Sequence, residues 1–117
     1  DRRASEINVA LTPDGPQAYR SGTFSAPKLP VGSLTSAQLH LAIKKTDGGK
    51  LVYEMAIPWA TLGAADGQAF QSGDSIGVAM AVNEVRTAEQ GDPCALGLFG
   101  GIFPDKNPSK QGKLILK

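Results

Sequence analysis

Binding a sugar takes an aromatic ring to lie under the apolar face of a pyranose and polar side chains to pair with its hydroxyls. A polar group left unpaired in such a site weakens binding. Residues of both kinds occur in the second half of this chain. Asn83, Glu84 and Arg86 leave the end of an alternating segment, and Phe99 and Phe103 follow in the stretch before the last strand. The competing role for both phenylalanines is core packing beneath a long loop. Trp59, the only tryptophan, follows Ile57 and Pro58 at a corner. It is expected to plug the core where the chain leaves its sheet, enclosed there rather than standing in a cleft.

Other chemistries find less support. The single histidine, His40, falls on the outer side of an alternating segment, and no nucleophile-elbow pattern accompanies it. One histidine and one cysteine, far apart, provide no ligand pair at metal spacing. Gly97–Gly101 is not followed by the helix-opening lysine of a phosphate loop. The lone Cys94 can form no internal disulfide and has no neighbouring histidine or lysine to activate it, so it suits a small buried hydrophobe. The expectation is a protein that is not an enzyme.

These residues need strands to hold them. Glu6–Leu11 alternates, with Ile7, Val9 and Leu11 on one side, and Thr12-Pro13-Asp14-Gly15-Pro16 is turn chemistry. Tyr19–Ser36 shows no sustained period and is expected to be a long loop with one short strand at Gly22–Ser25. Leu39–Lys44 places Leu39, Leu41 and Ile43 inward and His40, Ala42 and Lys44 outward. Thr46-Asp47-Gly48-Gly49 then turns the chain into Lys50–Ile57. Pro58 suits the start of one helical turn over Trp59–Leu62, which Gly63 stops. Gly73-Asp74 leads into a strand at Ser75–Asn83, with Ile76, Val78, Met80 and Val82 on one face and glycine and alanine on the other. A short strand is expected near Ala95–Phe99 and a closing one at Lys113–Leu116. Antiparallel alternation throughout predicts an all-β fold, a two-sheet antiparallel β-sandwich with one short helical turn near Pro58-Leu62. Ile43, Tyr53, Met55, Ile57, Ile76, Val78 and Val82 form the expected core.

The order of parts in Tyr53–Glu84 is an alternating strand, an Ile-Pro-Trp corner, one helical turn, a Gly-Asp turn and a second strand ending Asn-Glu. It resembles the C-terminal part of the family 9 carbohydrate-binding modules and of the DOMON-like β-sandwich superfamily around them. The likeness covers Glu6–Lys117. It implies a non-catalytic module of a secreted or extracytoplasmic polysaccharide-active protein, with a polysaccharide or oligosaccharide as its partner. Asn83, Glu84, Arg86, Phe99 and Phe103 would then bind carbohydrate. Modules of this family sandwich a sugar between two aromatic side chains. Their additional N-terminal strands carry one of those aromatics together with calcium ligands, so calcium is the one metal the resemblance brings in. Against that pattern the chain reads as lacking N-terminal strands, to be completed by a second copy or by a complementary N-terminal fragment through the apolar edge of Glu6–Leu11. Two other readings belong to the same superfamily: a structural or interaction domain without a sugar site, and a b-type haem carrier using His40 with Met55 or Met80.

Composition sets the outer limits. A chain of 117 residues, 41% hydrophobic and 20% charged, is the size of a single domain spanning 1–117 and is too apolar for disorder. Its formal net charge of +1 is dispersed, which argues against a nucleic-acid partner. No apolar run approaches the roughly 18 residues of a membrane helix. The first residue is Asp1, as expected of a processed or excised chain.

Overall fold

The computed structural model describes residues 4–23, 29–63, 70–84, 94–102 and 106–117. Two compact units divide the chain, Asp1–Gln68 and Ala69–Lys117. The fold is all-β. Its strands pair antiparallel throughout, in one three-stranded and three two-stranded sheets among the described residues.

In the first unit, β1 (Ser5–Thr12) and β2 (Gly15–Thr23) form a hairpin to which β3 (Gly32–Ser33) adds a short third strand. Its turn closes because Gly15 takes φ +105°, which its missing Cβ permits, and because the Thr12 hydroxyl donates to the Gly15 carbonyl at 2.9 Å. β2 lies where a loop was expected. The reason is visible in its alternation: Ala18 and Gly22 turn toward the covered side with Arg20, while Tyr19 and Ser21 face out. A strand whose central inward residue is an arginine carries no apolar period to read. Between the pairs Glu6–Gly22 and Ile7–Arg20 the register shifts and leaves Ser21 over, a bulge of the kind that re-aims a neighbouring side chain.

Arg20 is 2% exposed. Its guanidinium donates from Nε to the Ser5 hydroxyl at 3.2 Å, from Nη1 to the Pro30 carbonyl at 3.1 Å and from Nη2 to the Thr61 carbonyl at 2.5 Å. Thr61 is itself buried and donates its hydroxyl to the Gln38 carbonyl at 2.6 Å. One side chain thus ties together β1, β2, the segment before β3 and the helical turn, and through Thr61 the approach to β4.

The hairpin of β4 (His40–Lys45) and β5 (Leu51–Ala56) has the expected register, with Leu41 opposite Met55 and Ile43 opposite Tyr53. Leu39 and Ile43 are buried, while His40, Ala42 and Lys44 face solvent. Three members of the expected core depart from it: Tyr53 and Met55 are exposed, and Ile57 is only half-buried. The physical reason is that β4 is the strand that meets β2. On the far side β5 is an edge with no further strand beside it among the described residues, so its inward side chains are covered on one flank only.

After Pro58 a 3-10 turn runs over Trp59–Leu62, and Gly63 ends it at φ +89°. The turn buries Thr61 rather than Trp59, which keeps 36% of its surface exposed. The expected enclosed plug is therefore a residue at the margin, because the arginine network draws in the turn's polar threonine instead.

In the second unit the expected strand Ser75–Asn83 divides at Ala79. β6 (Ser75–Val78) pairs with β9 (Gly112–Ile115), and β7 (Met80–Glu84) pairs with β8 (Cys94–Leu98). Ile76 and Val78 are half-buried as their period requires, but past Ala79 the cover changes sides. Ala81 is half-buried and Val82 is 59% exposed, which removes Val82 from the core. Met80 with Leu98 and Val82 with Leu96 are directly opposite pairs, so four apolar side chains share one open face of that ribbon.

Two consequences can be measured by denaturant unfolding. Arg20→Met should cost about 3–5 kcal/mol, since it strands the buried Thr61 carbonyl and removes the bonds to Ser5 and Pro30 that a charged donor now makes; a variant that unfolds like the parent would show that water replaces the network. Ile43→Ala should cost about 2–4 kcal/mol and Met55→Ala well under half of that, reflecting which strand is covered.

Candidate functional site

Of the residues expected to bind carbohydrate, Phe99 is the one whose geometry is unusual. It follows Leu98 at the end of β8 and adopts φ +64°, the one positive φ at a non-glycine position among the described residues. For a bulky side chain this left-handed conformation is an outlier costing on the order of 1–2 kcal/mol. Such strain persists only where the surroundings impose it.

The surroundings here are the segment Asn107–Gly112. A Cβ built on Gly112 would lie 2.6 Å from Cγ, Cδ1 and Cδ2 of Phe99. A point equidistant from those three ring atoms is on the axis through the ring centre. The Gly112 α-hydrogen therefore points into the middle of the aromatic face, and any side chain at 112 would occupy the ring's place. The next two residues dock as closely. A Cβ at Gly100 would stand 3.0 Å from Lys110 Cβ, and one at Gly101 would run into the Asn107 carbonyl. Gly101 is buried at φ +89°. The Phe99–Gly101 turn thus fits against 107–112 only because three positions lack a Cβ.

The receiving segment is stiff for local reasons. Asn107 accepts from the Ser109 backbone N–H at 3.0 Å and from its hydroxyl at 2.7 Å. Pro108 opens the 3-10 turn Pro108–Lys110 with its φ already set. Gln111 sends its side chain over Gly77, on the other face of the β6–β9 ribbon from Gly112. The outcome is a phenyl ring with one face fixed on backbone and 49% of the residue still exposed.

The remaining candidates are placed differently. Asn83 is exposed and pairs with Ala95, whereas Phe99 adjoins the Met80–Leu98 pair at the opposite end of the ribbon. Four strand steps separate Asn83 from Phe99, about 13 Å. Glu84 lies one step farther, opposite Cys94; the side chains of these two residues, and all of Arg86 and Phe103, lie outside the described residues. Sequence reasoning missed Gly112, Gly101 and Lys110. The signal that could have found them is the Gly100-Gly101 doublet followed by an Asn-Pro turn start and one more glycine at the head of the closing strand.

A second place where polar side chains gather is in the first unit. A hollow of about 450 Å³ is lined by Ser36, His40, Glu54 and Met55, with Ala42 and Ala56 as neighbours on the ribbon. His40 pairs with Ala56 and Met55 with Leu41, so their side chains leave opposite faces of the hairpin. Among the described residues no group of three or more His, Cys, Asp or Glu is placed to hold a metal ion. No helix among them is long and apolar enough to cross a membrane.

No protein-family model, curated protein or solved structure matches this chain significantly. The likeness of Tyr53–Glu84 to family 9 modules accordingly rests on those residues alone.

The ring contact has a direct signature. In a proton NMR spectrum one Gly112 α-proton should be shifted strongly upfield by the Phe99 ring, and the shift should vanish in Phe99→Ala. Gly112→Ala should cost about 1–3 kcal/mol by displacing the ring. An unshifted Gly112 signal in the parent protein would show that the ring rests elsewhere.

Proposed function

We propose that this chain is a non-catalytic carbohydrate-binding module of a secreted, polysaccharide-active protein, with a β-sandwich architecture and Phe99 as its stacking platform. The observation that carries the reading is the Phe99 ring, held in a strained backbone conformation with one face on Gly112 and the residue half exposed. A ring whose only role was to fill a core would gain by relaxing to an extended backbone and burying both faces. A fixed ring with an accessible side is what the apolar face of a pyranose stacks upon. Asn83 and Glu84, with Arg86 and Phe103, supply the further contacts. Because Asn83 stands about four strand steps (~13 Å) from the platform, the ligand extends over more than one sugar unit.

A second reading is an interaction domain without a sugar site. The open apolar face of the β7–β8 ribbon favours it, with Leu96 75% exposed.

Retention on insoluble polysaccharides, or retardation in gels containing soluble ones, separates the two. The parent should be retained and Phe99→Ala should lose tenfold or more in affinity, at least about 1.4 kcal/mol, while unfolding near the parent's midpoint. A parent protein that no glycan retains, or a Phe99→Ala variant that binds as the parent does, would overturn the platform and leave the interaction domain.

A further inference from the structure

The outward face of the first sheet sets an aromatic ring among polar side chains. Tyr19 stands at its middle, 47% exposed, directly opposite Asn8 on β1 and Ser33 on β3. Directly opposite residues share a face with their Cβ atoms about 5 Å apart, so Asn8, Tyr19 and Ser33 form one row across the three strands. Along β2 the next outward position is Gln17, with the small Ala10 opposite it. All five residues are exposed, while the alternate positions Val9, Ala18 and Arg20 turn toward the covered side. Gln17 and Ser33 also line a hollow of about 340 Å³ together with Ala18, Leu34 and Leu39, so a recess adjoins the ring.

We propose that this face is a glycan-binding surface in its own right and that its ligand is an uncharged polysaccharide chain. The Tyr19 ring stacks under one pyranose, while the Asn8 and Gln17 amides and the Ser33 hydroxyl pair with hydroxyls around it. The proposal shares with the reading above only that the chain binds carbohydrate, since these residues lie in the other unit from Phe99. Where Phe99 is marked by backbone strain, Tyr19 is marked by its company. An amide both donates and accepts, as a sugar hydroxyl does, so the two can pair and leave no polar group stranded. None of the five side chains is charged, which leaves nothing among them to receive the carboxylates of an acidic glycan or the phosphates of a nucleic acid. Nor do they supply the clustered anchors on which a protein interface turns, Tyr19 being their one large side chain with an apolar body. A row spanning two strand spacings, about 10 Å, takes an extended chain rather than a single sugar.

The test is affinity electrophoresis of the whole chain in gels containing hydroxyethylcellulose, galactomannan or polygalacturonate. The proteins compared are the parent, Tyr19→Ala, Tyr19→Phe, Asn8→Ala, Phe99→Ala and Tyr53→Ala, the last removing an exposed tyrosine of β5. At least one of the two neutral polymers should retard the parent more than polygalacturonate does, and equally at low and high salt. Tyr19→Ala should weaken that binding about tenfold and Asn8→Ala about threefold, whereas Tyr19→Phe and Tyr53→Ala should stay within about twofold of the parent. Because Tyr19 is exposed, its variants should unfold near the parent's midpoint. A Tyr19→Ala variant retarded as the parent is would overturn the inference, and a Phe99→Ala loss alongside it would leave the Phe99 platform standing. The reverse pattern, loss in Tyr19→Ala with Phe99→Ala unchanged, would keep this face and remove that platform. A parent that prefers polygalacturonate would also overturn the inference. So would a parent that sediments as a dimer which Tyr19→Ala dissociates, since the face would then belong to a second copy. A parent retarded in no gel overturns both readings.

Discussion

A guanidinium taken out of water must replace its hydration with protein acceptors, and a buried one that fails to do so costs several kcal/mol. Arg20 meets this demand with a hydroxyl and two carbonyls drawn from three separate segments. Each acceptor has to be delivered to a fork of fixed shape, so the requirement works in reverse: the arginine dictates where Ser5, Pro30 and Thr61 can be. Thr61 passes the constraint on to Gln38 and so to the start of β4. Among the described residues of this unit few apolar side chains are buried, Leu39 and Ile43 being the buried hydrophobic ones. A core that small leaves the positioning of its hairpins to directional bonds, which tolerate less displacement than oily contacts do.

The second unit solves the same problem by shape instead of charge. There the backbone of Phe99–Gly101 lies on the backbone of Asn107–Gly112 at separations that a single methyl group would forbid. Close backbone approach removes freedom from both segments, and the left-handed φ of Phe99 is the cost it imposes. The strand switch at Ala79 belongs to the same arrangement. By sending β6 to β9 and β7 to β8, it gives the chain after β8 a neighbour, the head of β9, on which to dock.

These two devices explain which parts of the fold were legible in the sequence. The hairpin from His40 to Ala56 was, because a clean apolar alternation and an Asp-Gly-Gly turn specify it twice over. The turn at Trp59–Leu62 was, because Pro58 and Gly63 bracket it. β2 was not, since hydrophobic period is silent where the inward residue is Arg20. The exposed positions of Tyr53, Met55 and Val82 were not either: alternation tells which face a residue shares, whereas cover depends on which strand acquires a neighbour. For the candidate site, residue type pointed to Phe99. What fixes its ring is three glycines, whose meaning appears only once their neighbours are known.

The contrast between the two phenyl-bearing possibilities, core filler and platform, comes down to which terms the chain has accepted. Filling a core rewards an aromatic residue with burial of both faces, roughly 25 cal/mol for each Å² removed from water. Phe99 forgoes part of that gain, with half of its surface left in solvent, and adds the cost of a left-handed backbone. It does so beside glycines that hold the ring to one orientation. Rigidity of this kind would lower the entropy that a ligand must overcome on binding, in keeping with the proposed platform. The same reasoning separates Phe99 from Leu96 or Ile115, which are more exposed but stand on regular strands in unstrained conformations. Exposure alone marks a surface; exposure combined with strain and a fixed orientation is what supports the proposed platform.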